Sequence, residues 1–428
     1  MTPFHTNGFL SDDGAHVFNS NRFLTPILLT LWLTSIANAD WLQWGGRNRN
    51  FELSGVKLAS KWPAGGPKRL WSKKLGDGYS SILVAGKRLV TMYRVNNREH
   101  IVALDRASGT ALWTHSYGAP FLKGTDVKQF GPGPLATPLI VGNRVIAVGV
   151  TGMLHCVTLD SGKVIWKTDL VRQLKGTNLY RGYSASPIAH DGLTILPVGG
   201  KGQGLVAFRI KSGSIAWRKH DFSISHVSPI YIQVDKQRQL VVTAAKLIAG
   251  FEPSTGRMLW QHQHPIRGGY ISSTPHWGKD GRLFFSAAYG AGSRCLQLIN
   301  AGGGTLVKET WVNGKMRVHH SNVIRVGDIV YGVSGDFSVM LFMAINIRSG
   351  KLLWKKREPG RSRMIYADGK FIILREDGIL RLATMDAKGM KVLASTKVFD
   401  GRGWTGPTLD RNILYLRNRQ QIMAFELP

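Results

Sequence analysis

The sequence predicts an all-β fold, an eight-bladed β-propeller whose blades are four-stranded antiparallel sheets. Three observations predict it. A strand–turn–strand unit recurs along the chain and ends on a tryptophan, and a second pair of strand signals precedes each copy. The last copy lacks its final strand, while an orphan final strand stands near the start of the chain.

The clearest copy runs from Val102 to Trp113. Val102 and Leu104 alternate as a strand with unlike faces requires. Asp105 to Gly109 carries turn chemistry, and Leu112 and Trp113 restart the apolar run. Aligned on the turn glycine, further copies lead from Gly162 to Trp166, from Gly213 to Trp217, from Gly256 to Trp260 and from Gly350 to Trp354. Cys295-Leu-Gln297 before Trp311 and Ala383-Thr-Met385 before Lys388-Gly389 are degraded copies. Upstream of the copies, a small or hydroxyl residue, often followed by proline, opens another strand: Thr137-Pro138, Ser186-Pro187, Ser228-Pro229, Thr274-Pro275 and Gly406-Pro407. The tryptophans fall 42 to 53 residues apart, which fits a blade of four short strands.

Taken in order, residues 1–39 read as a signal peptide or an uncleaved N-terminal anchor. Arg22 precedes an apolar run from Phe23 to Ile36, and Ala37-Asn38-Ala39 has the small-x-small pattern of a cleavage site. No cysteine follows that run, so a bacterial lipoprotein anchor is not expected. Residues 40–67, rich in Trp, Gly and Asn, read as an extended arm lying over the propeller. Residues 68–428 then form one propeller domain. Its units end at Trp113, Trp166, Trp217, Trp260, Trp311, Trp354 and near Ala394, and the eighth takes its first strands from Lys397 to Leu427. Lys68-Arg-Leu-Trp71 supplies that unit's missing strand and closes the ring, leaving no open sheet edge. The count falls to seven blades if the weak seventh unit is not a full blade.

Of 428 residues, 43% are hydrophobic and 50 are glycine, enough for a core made of hairpins. The two cysteines, Cys156 and Cys295, stand where other copies have Ala or Gly. They are expected as separate, buried free thiols. The net charge of +30 points to polyanions such as anionic lipid headgroups or acidic polysaccharide. The basic clusters are Lys68–Lys74, Lys355–Arg357 with Arg361 and Arg363, and Arg411, Arg417 and Arg419. No interleaving of basic and aromatic residues marks a specific nucleic-acid groove.

The repeated A-x-D-x-x-[ST]-G-x-x-x-W signature resembles the tryptophan-docking repeat of pyrroloquinoline-quinone-type (PQQ) propellers. Length and export signal are similar to the BamB-like group of exported bacterial envelope proteins. The resemblance covers nearly all of residues 41–428. It implies that Trp71, Trp113, Trp166, Trp217, Trp260, Trp311 and Trp354 cap the packing between blades as structural residues. It implies an exported protein of the periplasm or cell envelope and a noncatalytic interaction scaffold, with a BamB-like part in outer-membrane protein assembly. Its partners would be envelope proteins, including the β-barrel assembly machinery, and the chain is expected as a monomer.

Two rival readings belong to other classes. One is a basic polyanion-binding envelope protein. The other is a PQQ- and Ca²⁺-dependent dehydrogenase, which the wider resemblance implies would hold calcium with Glu, Asn and Asp, use a catalytic Asp, and often carry a disulfide between adjacent cysteines. The residues just before the innermost strands line the expected channel mouth: Tyr79, Leu135, Tyr183, His226, Tyr270, His319, His320, Arg363 and Trp404. None is a carboxylate, whereas calcium needs several hard oxygen ligands. The expectation is therefore no catalytic residue, no cofactor and no metal. His262-x-His264 and His319-His320 lack further ligands at suitable spacing. The mouth residues are nonetheless of the types favoured at binding hot spots.

Overall fold

The computed structural model describes residues 40–123, 125–127, 131–177, 179–264, 266, 273–302, 304–335 and 339–428. The expected signal segment, residues 1–39, and Tyr270 lie outside the described residues. Every assigned element among those described is a strand. The strands form eight sheets, seven of four strands and one, in blade 7, with a fifth strand added at its inner edge. Blade 1 spans 83–118, blade 2 139–169, blade 3 188–219, blade 4 230–263, blade 5 276–313, blade 6 318–358 and blade 7 362–397. Blade 8 combines 408–426 with the strand Lys68–Lys74, which pairs antiparallel with Gln421–Glu426, so the two ends share a sheet as the sequence predicts. The weak seventh unit is a full blade, and the count is eight.

In each blade the first strand is innermost and the last is the most exposed. Thr408–Asp410 is buried throughout, whereas the outermost Lys68–Lys74 is almost wholly exposed. The tryptophans sit on the outermost strands, each directly opposite a small residue: Trp113 faces Ala103, Trp166 faces Cys156, Trp260 faces Gly250 and Trp311 faces Cys295. This is why cysteine is tolerated there. Both thiols are free and buried, in blades 2 and 5. The pairing register shifts at the residue just before the tryptophan position in all eight sheets, a recurrent bulge. The extra residue turns outward, so Leu70, Leu112 and Ile165 are exposed aliphatics beside well-packed rings.

Each ring then seats on the turn of the next blade. Trp113 donates its indole N–H to the Leu159 carbonyl at 2.8 Å, and its ring lies where a Cβ on Gly162 would stand, 2.4 Å away. Gly162 also has φ of +69°, so two requirements fix glycine at that turn. Trp71, Trp166, Trp311 and Trp354 donate to Arg106, Ile210, Ile347 and Asp386 in the same way, at 2.7 to 3.3 Å. Two departures have local causes. In blade 4 the acceptor position is Pro253; Trp217 still covers Gly256, but its indole nitrogen has no hydrogen bond among the described residues. The blade 5 turn lacks the Asp-to-Gly pattern, and Trp260 lies over Gly250 of its own sheet and bonds to Gln239 at 2.7 Å.

The hydroxyl signature explains the inner joints. The Ser81 N–H donates to the Thr137 hydroxyl at 3.1 Å, Thr137 N–H to Ser186 at 2.9 Å, and Ser186 N–H to Ser228 at 2.9 Å. Each buried backbone donor at an inner strand start is satisfied by the next blade. Blades 6 and 7 use Asn322, which bonds both backbone groups of Met364.

The first half of the arm, Trp41 to Leu53, runs along the inner edges of the blades, whereas the rest is largely exposed and reaches the outermost strand of blade 7, where the Thr396 hydroxyl donates to the Gly65 carbonyl at 3.2 Å. Trp41 bridges Val84 of blade 1, and the Leu42 carbonyl accepts from Ile140 of blade 2. Arg49, 2% exposed, donates to the carbonyls of Ser186, Pro187 and Pro229 in front of blades 3 and 4. Glu52–Leu53 adds a parallel strand to the inner edge of blade 7. His276 of blade 5 contacts Glu52 at 3.2 Å, and Ala59 bonds to Pro428.

Replacing Trp113 by alanine is expected to cost about 3 kcal/mol, from lost burial and the cavity left on Gly162. The neighbouring Leu112→Ser should change stability by less than about 0.5 kcal/mol. Urea unfolding midpoints of the two variants check this, and equal midpoints would show that the ring does not carry the joint.

Candidate functional site

One end of the channel opens into a cavity of about 370 Å³. Its walls come from the segments that lead into the innermost strands, and Trp44 of the arm forms its inner end beside Ser186, Ser228 and Thr274. Trp44 donates to the Thr274 hydroxyl at 3.3 Å and packs edge-on against Phe51. Each wall segment is held from behind. Arg417, fully buried, binds the Ser80 and Met92 carbonyls and the Thr91 hydroxyl, and so fixes the loop that carries Tyr79. Glu99, also fully buried, accepts from Tyr117 at 2.8 Å and from the Val150 N–H at 3.1 Å, which fixes the turn carrying Val150.

Of the mouth residues the sequence singles out, Tyr79, Leu135, His226, His319, His320, Arg363 and Trp404 all line this cavity. Tyr183 does not. Its side chain is buried within blade 3, and its hydroxyl donates to the Pro197 carbonyl at 2.6 Å, because the chain turns inward there to satisfy that acceptor. Trp44, Asp126, Tyr180, Arg181 and Tyr289 line it as well. Sequence reasoning missed them because they come from the arm, from the 119–138 and 170–187 connections, and from a turn in blade 5. None of these has a position set by the repeat.

The rings form a continuous lining. Tyr79 stacks on Trp404 at 5.4 Å, with the Arg361 and Arg402 guanidinium groups 4.8 and 4.7 Å from the Trp404 ring. Trp404 donates to Glu376 at 2.6 Å. Opposite, Tyr289 meets His319 edge-on at 5.1 Å, and His319 meets His320 at 4.3 Å. The Ser184 hydroxyl lies 2.7 Å from His226 Nδ1. Arg181 pairs with Asp126 at 3.1 Å, and Asp126 also accepts from Tyr180.

Burial, and then the charge of Arg181, lowers the His226 pKa to about 4. Burial, with His319, Arg361, Arg363 and His226 adding to it, holds His320 well below the usual imidazole value. Both rings are therefore neutral at pH 7 and serve as hydrogen-bonding groups. The Tyr79 hydroxyl is pushed up by burial.

The described residues do not fit a calcium-bound quinone. Asp126 is the one carboxylate among the described lining residues, and Arg181 and Tyr180 already occupy it. Among the described residues no three His, Cys, Asp or Glu side chains converge as metal ligands. His262 contacts Glu309 at 2.9 Å, while His264 packs against Phe285. The described lining presents aromatic faces, neutral imidazoles and guanidinium groups.

The basic clusters separate in three dimensions. Lys68, Arg69, Lys73 and Lys74 are exposed on blade 8, and Lys355 to Arg357 on blade 6. Arg417 is interior, so it does not belong to a surface patch, and Arg419 is paired with Asp77.

The family model described as outer membrane protein assembly factor BamB matches residues 97–355. A BamB from Shewanella oneidensis is 24% identical over 154 residues, 35% of this chain, and the match spans only 36% of that relative's length. Among solved structures, BamB from Moraxella catarrhalis superposes with a TM-score of 0.57 at 14% identity, covering 84% of this chain and 97% of that one. The quinohemoprotein alcohol dehydrogenase from Comamonas testosteroni gives 0.63 at 11% identity, covering 91% and 80%. At such identities the superpositions show the fold alone.

The depressed His226 and His320 values carry a pH dependence. Below the ordinary imidazole value near 6.5 the unfolded chain takes up protons that the folded chain refuses, so stability falls as pH drops from about 6.5 through about 4. Thermal melts should shift downward between pH 7 and pH 5, and by less in His226→Gln. An identical shift in that variant would contradict the assignment.

Proposed function

The chain belongs to the family of outer membrane protein assembly factor BamB, and from that membership we propose a noncatalytic interaction scaffold of the bacterial cell envelope that takes part in outer-membrane protein assembly. The observation that carries the reading is the cavity at the channel mouth. It is rich in Trp, Tyr, His and Arg, and its described lining offers no free carboxylate for acid–base or metal chemistry. Interface hot spots have this composition: rigid aromatic anchors and guanidinium groups in a concave, largely preformed site. The mouth is the docking face, the ring and its arm the rigid support.

The same reading makes residues 1–39 an export signal. Residues 37–39 supply the small side chains of a cleavage site, and the mature chain begins at Asp40, which lies in the channel-filling arm's lead. Because Trp41, Arg49 and Phe51 of the arm are buried, cleavage further downstream would remove channel packing.

A second reading has its own observation. Lys68, Arg69, Lys73 and Lys74 form an exposed basic strand on the ring's outer edge, suited to anionic headgroups or acidic polysaccharide.

Tagged protein captured from solubilised native envelopes, washed at low and at high salt, separates the two. Docking at the mouth predicts that a component of the β-barrel assembly machinery stays bound at high salt. Complete loss with salt would leave the basic edge as the main binding feature. Titration with PQQ and Ca²⁺ should give no saturable calcium-dependent change in tryptophan fluorescence, and a stoichiometric change would overturn the noncatalytic assignment.

A further inference from the structure

Among the described residues, the mouth cavity is lined by a guanidinium, that of Arg363, with no carboxylate partner. The Arg363 guanidinium makes no hydrogen bond and no carboxylate pair among the described residues. Its contact is the face of Trp44, 5.9 Å away, at the inner end of the cavity. The other cations around it are provided for. Arg181 has Asp126, and Arg361 lies 3.5 Å from Glu376 and over Trp404. His226 and His320 are neutral. Burial, with Arg361 adding to it, lowers the Arg363 pKa to about 10, so the group remains charged at pH 7 in surroundings that penalise the charge.

A half-buried guanidinium in a cavity wall, with no carboxylate partner among the described residues, is free to meet an anionic ligand. Its natural complement is a carboxylate, which it can meet with two parallel N–H···O bonds. The rest of the lining sets the body that carries the carboxylate. Trp44, Tyr79, Tyr289 and Trp404 offer aromatic faces, and the Ser186, Ser228 and Thr274 hydroxyls surround the inner end. Positive charge among apolar and aromatic walls suits a carboxylate carried on an apolar body.

Resting on the reading of the mouth as the docking face, we propose that this cavity binds a single carboxylate carried on an aromatic or aliphatic body, with Arg363 as its counter-ion and Trp44 as its inner wall. Two sources share that chemistry, the C-terminal carboxylate of a polypeptide ending in an apolar residue and a small organic acid. The cavity, about 370 Å³, holds one such terminal residue or one such acid.

The test uses the intact protein and calorimetric titration, with tryptophan fluorescence as a second readout. The probes are acetyl-Gly-Phe, its C-terminal amide and 3-phenylpropionate. The acid peptide is expected to bind at least about tenfold more tightly than the amide, the loss of one charge-assisted hydrogen-bonded pair. Arg363→Met should abolish that preference with little change in melting temperature, since among the described residues the cation has no carboxylate partner to lose. If 3-phenylpropionate binds as tightly as the acid peptide, the source is a small acid. If the peptide binds tenfold more tightly, the source is a chain terminus. Equal binding of acid and amide would overturn the carboxylate proposal while leaving the mouth as a docking face. Failure of every probe to bind, together with no effect of Arg363→Met on partner capture, would overturn both. The comparison of acid with amide needs no variant, so it stands even if Arg363→Met fails to fold.

Discussion

The joint between neighbouring blades is the interaction on which everything else rests. Between blades 1 and 2 and between blades 2 and 3 it is made twice. At the outer rim a tryptophan lies on the next blade's turn, which must be glycine there, and donates to a carbonyl of that turn. At the inner edge a hydroxyl of the next blade accepts a backbone N–H that would otherwise be buried without a partner. Both contacts are between successive blades, so the ring is fixed one joint at a time. Closure by Lys68–Lys74 then turns a row of blades into a rigid annulus.

That rigidity is what makes the mouth a site. Eight short blades leave a channel, and the arm fills it with Trp41, Trp44, Arg49 and Phe51. Arg49 replaces inter-blade contacts with three carbonyl bonds, and Trp44 converts an open channel into a closed-ended cavity. The arm is therefore both the last structural element of the ring and the first wall of the site. Positions above it are set by buried polar knots around Arg417 and Glu99, not by loop contacts alone.

The fold was legible because each blade must solve the same packing problem, and the solution is local in sequence: Asp, Gly and Trp at fixed spacing. The mouth was legible in part for the same reason. Residues just before an inner strand face the channel end, and Tyr79, His226, His319, Arg363 and Trp404 line the cavity there. Tyr183 obeys the spacing but answers to Pro197 O instead. The threading of the arm had no periodic signal at all. Arg49 finds acceptors more than 130 residues away, and Trp44 finds one 230 residues away. Asp126 looked like nothing in the sequence because its role depends on Arg181 from another connection. Local repetition can be read from the chain; contacts specific to one end of the ring cannot.

Hydrogen exchange of the protein, alone and bound to its captured envelope partner, tests the central claim that the channel mouth is the docking face. The account predicts added protection in the mouth segments around Tyr79, 180–186, 226–228, 319–320 and 402–405, with the outer strands unchanged. Protection confined to Lys68–Lys74 and the 355–357 edge would contradict it and would make the ring's charged rim the site of contact.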